Sequence, residues 1–540
     1  MIDRVVIQNY KCIKSADIKF NAFKNVIVGN NGVGKSTLIE ALSLALGYGL
    51  NKLEITPFIF NTECLEAYKS SKKELPQILI EVYFDESLPL GDISGLNNSK
   101  QIMRNGLYLR ISFDEEYRDL YNQELQNNED LNIPCEYYKV ERYWFSQQPV
   151  KQYKMPCSIQ IVDTSSLYFS SSSTQYISQL IQKYLGDGDS TKIRTSLRHV
   201  KEAFDKYDEM KDINEKIQNQ KKGLTLSVDV TSKVEKRDIV CPFMENIPVS
   251  QTGAGEICHL KALLALGNNG TANKKKIIII EEPEVHMSHT KMYEMLSDIV
   301  KNLDKNNDQI IITTHNSFVA NKLDLSNLIL LDRNKYALKQ TALNEDEELF
   351  RFFGKICHYP TLRMILCKSL ILVEGPADEM VVTYHYYKSH GGKHPFDNGI
   401  ELISVNGTAF KEFVRLMKSF SKRVAVVTDN DSCNEEELYK RRGFEELPEN
   451  IKVFHGDTQE NYSLEPCFVD ANKSQLQQLS DFIRVKEVAN DTAKDLVSYM
   501  ENNKTEWSFK LIDKIDEVSF DVPQYIKDSV QWVEGGINES

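Results

Sequence analysis

The run Gly29, Asn30, Asn31, Gly32, Val33, Gly34, Lys35, Ser36 constrains this chain more than any other stretch. It follows the apolar, strand-like Asn25 to Val28 and precedes Thr37 to Leu46, in which Leu38, Ala41, Leu42 and Ala45 share one helical face. Strand, glycine-rich turn and helix in that order predict a phosphate cradle. Its glycines permit a tight turn and close approach to phosphate, while the helix amino terminus favours an anion. Lys35 is expected at the terminal phosphates, Ser36 at a magnesium ion, and Asn30, Asn31 and Thr37 around the same ligand. A glycine-rich surface turn would leave Lys35, Ser36 and Thr37 without a role. The expected ligand is ATP with Mg2+.

Three further segments fit the same chemistry. The apolar strand Ile277 to Ile280 ends in Glu281, Glu282, Pro283 and Glu284, which delivers Glu281 to the magnesium shell and Glu282 to a water that it polarises. The strand Gln309 to Ile312 runs into Thr313, Thr314, His315 and Asn316. His315 both donates and accepts hydrogen bonds near neutrality, which suits it to sensing or positioning the hydrolytic water. Between the phosphate loop and the acidic strand lies Ser250, Gln251, Thr252, Gly253, Ala254, Gly255, Glu256, directly before an apolar helix at Ile257 to Leu266.

The order of phosphate loop, small-residue loop, acidic strand end and histidine resembles the ABC-type ATPases. The resemblance implies that Ser250, Gly253, Gly255 and Glu256 form a signature loop that reaches a partner's nucleotide, so that two copies close each other's sites. It also places His286 where such proteins communicate across the interface, with a purely structural role as the alternative.

Strands at Gln77 to Phe84 and Gly106 to Phe113, separated by a loop at Gly91 to Ser99, are expected to join the amino-terminal strands in a mixed accessory sheet. The serine-rich Ser165 to Ser173 interrupts this pattern. From Tyr176 to Gln220 the residues turn polar and helical, with a break near Gly186 to Ser190, giving either a protruding dimerisation pair or a solvent-facing subdomain. Strands resume at Leu224 to Val230, and alternating strands and helices then predict a parallel α/β core. The expected division is residues 1–165 and 223–345 for the ATPase, 166–222 for the inserted helical region, and 346–540 for a second α/β module with a helical extension. A chain of 540 residues is too long for one core and fits such a division.

The second module carries its own acids. The apolar strand Leu370 to Val373 ends in Glu374 and Gly375, whose glycine is expected to allow a sharp exit, and Asp378 and Glu379 open the following helix. The strand Arg423 to Thr428 ends in Asp429, Asn430 and Asp431. Acids at the ends of neighbouring parallel strands converge even when distant in sequence, and such a group repels itself unless a metal or proton relieves it.

This arrangement resembles the Toprim fold, with Glu374 in its first motif and Asp429 and Asp431 in its second. The resemblance implies Mg2+ or Mn2+ held against phosphate, at two positions to which Asp378 or Glu379 contributes. It extends to Glu465, after the strand Ile451 to Phe454, and to Lys504 as a group that stabilises the phosphate or leaving group. Acids that merely close solvated turns are the alternative at each position, and Lys504 is as easily an exposed lysine.

An ABC-type ATPase followed by a Toprim module resembles the OLD family, named for overcoming lysogenisation defect, across essentially the whole chain. The resemblance implies an α/β architecture, a homodimer or higher homo-oligomer through the ATPase, metal-dependent DNA cleavage, a place in bacterial defence against phages, and in some relatives a helicase-like or retron-encoded partner. The competing reading is a repair ATPase related to SMC and RecF-like proteins, or a nucleotide switch whose Toprim-like part binds without cleaving. No long heptad arm supports a true SMC protein. A formal charge of -13 argues against a surface coated in nonspecific nucleic-acid contacts but leaves room for local basic grooves. Ten dispersed cysteines and the polar opening residues Asp3, Arg4 and Gln8 suit a cytoplasmic protein.

Overall fold

The computed structural model describes residues 1–71, 75–86, 91–127, 132–151, 155–163, 187–220, 226–227, 242–244, 246–266, 275–285, 287–334, 337–341, 346–356, 359–405, 407, 410–444, 446–457, 460–483 and 492–537. They form two compact units, Met1–Leu323 with Asn327–Ala342, and Asp324–Ser326 with Leu343–Ser540. Among the described residues no helix is long and apolar enough to cross a membrane.

In the first unit the amino-terminal strands β1 (Ile2–Tyr10), β2 (Ile13–Lys19) and β3 (Lys24–Val28) are followed by helix α1 (Lys35–Ala45). Then come β4 (Ile78–Phe84), β5 (Ser94–Gly95), β6 (Arg104–Phe113), β7 (Tyr138–Trp144) and β8 (Cys157–Asp163). After the helical insertion a small hairpin, β9 (Phe243–Met244) and β10 (Ile247–Pro248), leads to the core strands β11 (Lys275–Glu281), β12 (Asp308–Thr313), β13 (Leu328–Asn334) and β14 (Ala337–Thr341). Apart from the hairpin these strands make one sheet in the order β5-β6-β4-β1-β2-β14-β13-β3-β12-β11-β8, with β7 on β6.

The expectation of an accessory sheet therefore needs correcting: the antiparallel strands are continuous with the parallel core. The link is the antiparallel pair β13 and β14, in which β13 runs parallel to β3 while β14 pairs with β2 through Ala337 and Leu338. The fully buried amide of Gln309 adds a second tie. It accepts from the Ile2 N–H and donates to the carbonyls of Ile2 and Asn21, satisfying backbone groups across the fold.

β11 lies between β8 and β12, parallel to both, and Ile277, Ile278, Ile279 and Ile280 are all fully buried, so both of its faces are covered. β2 shows the opposite logic, its buried and exposed residues nearly alternating.

The insertion contains helices α2 (Asp187–Lys206) and α3 (Asp208–Gln220). α2 begins at Asp187, within the segment where a break is expected, and Tyr207 separates it from α3. Residues 165–173, the helix expected from Tyr176 up to Asp187, and the strand expected at 224–230, Leu226 and Ser227 excepted, lie outside the described residues, as does His286.

The second unit is built on β15 (Ser369–Val373), β16 (Ile400–Ser404), β17 (Val424–Val427) and β18 (Ile451–Phe454), all parallel in the order β16-β15-β17-β18. Its core is Ile371, Val373, Ala425 and Val427 together with residues of the later helices, including Phe468, Trp507 and Ile526.

Candidate functional site

In the first unit, parallel pairing sets the carboxyl ends of β3, β12 and β11 side by side, with Ile27 opposite Thr313 and Thr313 opposite Glu281. The phosphate loop leaves β3 and turns into α1. Gly34 has φ 117, a conformation hostile to any side chain, and a Cβ on Gly29 would stand 2.6 Å from the Leu331 carbonyl oxygen. Both glycines are thus demanded by the chain's own path. The loop carbonyls of Gly29 and Asn30 accept from Lys35 Nζ at 2.9 and 3.2 Å. Burial lowers the Lys35 pKa, while the charges of Glu282, Glu284 and Glu281 oppose that shift. Asn30, Asn31, Gly32 and Ser36 are exposed along the loop, and Thr37 Oγ1 lies 3.3 Å from Cys12 Sγ.

Glu282 takes φ 40, strained for a side-chain-bearing residue, and its N–H donates to the Thr313 carbonyl at 3.0 Å. That posture sets Glu282 Oε1 3.2 Å from His315 Nε2. Glu284, to which no role is assigned from the sequence, accepts from the Thr314 hydroxyl and the His315 N–H, both at 2.7 Å. Its other oxygen is buried without a partner. The structure therefore brings together Lys35, Glu281, Glu282 and His315 around the loop.

The loop bearing Ser250 does not join them. It leads through Gly253, whose carbonyl accepts from Glu256 and Ile257, into helix α4 (Ala254–Leu266), which includes Gly255 and Glu256 in its first turn. α4 packs on β8, β11 and helix α5 (His289–Asn302), at the flank of the sheet away from β3. Gly253 has open space where a Cβ would go.

In the second unit Glu374 follows β15 and Asp429 follows its neighbour β17. The backbone at Gly375 is extended, with φ −145, so the turn does not need the glycine that the sequence reading assigned to it. The Gly375 N–H donates to Asp378 Oδ2 at 3.0 Å, at the start of helix α6 (Pro376–Ser389). Glu374 Oε2 accepts from Thr428 Oγ1 at 3.1 Å and from Arg442 Nη2 at 3.1 Å. Arg442 ends helix α7 (Glu435–Arg442) and also reaches Asp431.

Asp429 Oδ1 accepts from the Leu464 N–H at the start of helix α8 (Leu464–Ala471). Glu465 in that helix is fully buried, with one oxygen facing Ser463 Oγ at 3.1 Å and Lys504 Nζ at 3.5 Å and the other without a partner. Lys504 opens helix α9 (Lys504–Asp513).

The electrostatics show how tightly the acids crowd. Burial, then the charges of Asp378 and Glu374, push Asp429 up to about 8. Burial pushes Asp378 up to about 7; the Gly375 N–H opposes the rise, and Glu374 and Glu465 add to it. Burial would lower Lys504, but the charges of Glu465 and Asp429 outweigh it and its pKa is raised. Glu379 stands apart: burial raises it, and its charged neighbours are Arg363 and Glu401 rather than Glu374 or Asp429.

Among the described residues no three acids, histidines or cysteines stand close enough to hold an ion as placed. The donor chemistry nonetheless suits a divalent cation. Glu465 presents an unpartnered buried carboxylate oxygen, and burial together with the charges of neighbouring acids raises Asp378 and Asp429. Ser463, Thr428 and Glu284 escaped the sequence reading because polar residues beside acidic motifs carry no periodicity of their own.

Fold and site together define an α/β protein in which an AAA ATPase domain precedes a parallel four-stranded Toprim sheet with carboxyl-terminal helices. A family model described as AAA ATPase domain matches residues 1–320, and one described as overcoming lysogenization defect protein-like, TOPRIM domain, matches residues 365–431. The chain belongs to the AAA ATPase domain family, and its segment 365–431 matches an OLD-like Toprim domain.

It is similar to an ATP/GTP phosphatase of Helicobacter pylori, 22% identical over 60% of this chain and 88% of that protein. It is also similar to the DNA replication and repair protein RecF of Vibrio cholerae, 38% identical over 12% of this chain and only 18% of RecF. Among solved structures, the SMC head domain from Thermotoga maritima aligns with 64% of this chain and 99% of its own at 12% identity and TM-score 0.28. The carboxyl-terminal region of the Xanthomonas campestris pv. campestris OLD protein aligns with 33% and 97% at 19% identity and TM-score 0.26.

Proposed function

We propose that the chain is an ATP-binding, metal-dependent DNA endonuclease in which the ATPase part, closing as a homodimer, gates phosphodiester cleavage by the Toprim part. The observation that carries this reading is the gathering of Glu374, Asp378, Asp429 and Glu465 with Lys504 at the carboxyl ends of neighbouring parallel strands. An ATPase alone has no use for that second group. The proposed division assigns residues 1–165 and 223–345 to the ATPase, 166–222 to dimerisation and 346–540 to cleavage, in a cytoplasmic protein of anti-phage defence.

In the ATPase part Lys35 binds the terminal phosphates, Ser36 and Glu281 hold Mg2+, and Glu282, oriented by His315, accepts the proton of the attacking water. Ser250, Gly253, Gly255 and Glu256 act on a second copy's nucleotide, which fits their position on the far flank of the sheet. In the Toprim part Glu374, Asp378, Asp429, Asp431 and Glu465 hold one or two Mg2+ or Mn2+ ions. Such ions, when bound, supply Lewis-acid stabilisation and an activated water. Lys504 presents an ammonium beside Glu465 that can follow charge onto the leaving oxygen. Glu379, whose charged neighbours are Arg363 and Glu401, lies outside this set.

The test is a cleavage assay on supercoiled and linear DNA with the purified chain, crossing Mg2+, Mn2+ and chelator with no nucleotide, ATP and a nonhydrolysable analogue. Metal-dependent cleavage that disappears in folded Glu374→Ala and Asp429→Ala is expected. Undiminished cleavage by either variant would sink the assignment, and no cleavage under any condition would favour a repair ATPase that binds without cutting.

A further inference from the structure

Arg442 lies between the two acids on which both Toprim motifs rest. Its Nη2 stands 3.1 Å from Glu374 Oε2 and 3.2 Å from Asp431 Oδ2, and the side chain is only 12% exposed. The guanidinium carbon sits 5.9 Å from the Phe410 ring centroid, and Nε is buried without a hydrogen-bond partner. Burying a guanidinium with one N–H unsatisfied is costly unless facing charges compensate it. Here Glu374 and Asp431 are those charges.

The geometry is set by the chain rather than by a loosely swinging side chain. Gly443, at φ 73, stops α7 directly after Arg442. On the acid side Asp431 and Ser432 are held at φ 52 and φ 60, left-handed for residues that carry a Cβ. Arg441 reaches the same Asp431 oxygen at 3.3 Å, but from a side chain 60% exposed.

We propose that Arg442 is a resident counter-ion of this site, which a divalent metal must displace from Glu374 and Asp431 before it can bind there. The inference rests on reading the Toprim acids as metal ligands and adds a control to them. Arginine keeps its charge, so it cannot be neutralised in place. The carboxylate oxygens it occupies are those an ion would need at about 2.0–2.6 Å, and two cations cannot share them without strong repulsion. Metal entry and guanidinium release are therefore one exchange, and Arg442 lowers the apparent metal affinity of the site. It is a positioning residue: it acts on the metal ligands and not on the reacting atoms.

The experiment is Mn2+ titration by calorimetry on the full-length, nucleotide-free chain, with folding checked by circular dichroism. Arg442→Met keeps the bulk and removes the charge. It is expected to bind Mn2+ about tenfold more tightly (~1.4 kcal/mol), while melting at a lower temperature than the unsubstituted chain when chelator is present. Arg442→Lys, which puts a compact ammonium in place of the bridging Nη2, is expected to fall between the two and decides the matter if Arg442→Met does not fold. Equal or weaker Mn2+ binding in the folded variants overturns the proposal. If the unsubstituted chain binds Mn2+ and Glu374→Gln weakens it, only the role of Arg442 has failed. If the unsubstituted chain binds no Mn2+ at all, the metal reading falls with it.

Discussion

Asp429 is a carboxylate that the fold holds where its charged form is disfavoured. One oxygen is anchored by the Leu464 N–H, and the pocket is shared with Asp378 and Glu374. Its pKa of about 8, and that of Asp378 at about 7, lie above the unfolded value of about 3.9. A carboxyl raised in this way binds its proton more tightly folded than unfolded. Its contribution is therefore complete below about pH 4 and lost as pH climbs through 7 and 8. Without divalent ions, the melting temperature is expected to fall between pH 6 and pH 9. Asp429→Asn keeps the acceptor for Leu464 and removes the charge, so at pH 9 it should melt higher, by an amount on the order of 1 kcal/mol, and show no cleavage. A melting curve unchanged with pH, or a less stable Asn variant at pH 9, would show the pocket is not crowded in the way described. Glu374 and Asp429 were legible in the sequence because each ends an apolar run that can only be a buried strand. Arg442, Ser463 and Glu284 gained their meaning only from the turns that carry them to those acids, and turn geometry leaves little trace in residue type.

The same contrast holds between elements. The strand of four isoleucines, the glycine-rich loop and the helix after it stand where the sequence puts them, because burial on both faces and a tight glycine turn into a helix each impose a strong pattern. The continuity of the antiparallel strands with the core was not legible. It depends on two residue pairs between β14 and β2, which no periodicity announces. Glycines separate in the same way. Gly34, at φ 117, is required by the loop itself; Gly34→Ala should cost more than about 1 kcal/mol and weaken ATP binding with it. Gly253 has open space and no demanding backbone angle, so Gly253→Ala should melt within about 0.5 kcal/mol of the parent. Its need for glycine would come from outside the chain, at a partner's nucleotide. ATP-dependent association, followed by light scattering, should therefore be lost in Gly253→Ala while the monomer stays stable. Association equal to the parent's would remove the 250–256 loop from the dimer interface.

At the scale of the whole molecule, the question is whether the two chemistries are coupled or merely share a chain. Each unit has its own core and its own acids. Single substitutions can therefore silence one centre at a time. Glu374→Ala should remove DNA cleavage and leave ATP affinity unchanged, because the hydrogen bonds its carboxylate accepts, from Thr428 and Arg442, lie within its own unit. Lys35→Ala should weaken ATP binding at least tenfold, since it removes the single ammonium that the loop carbonyls of Gly29 and Asn30 hold in place. The informative measurement is cleavage by Lys35→Ala in Mn2+, with and without ATP. If ATP-driven closure of the dimer gates the Toprim acids, the parent's rate changes when ATP is added and the variant's does not, whichever direction the change takes. If both proteins cleave at one rate irrespective of nucleotide, ATP is no gate for the nuclease, and the phosphate loop must be assigned a purpose separate from cleavage.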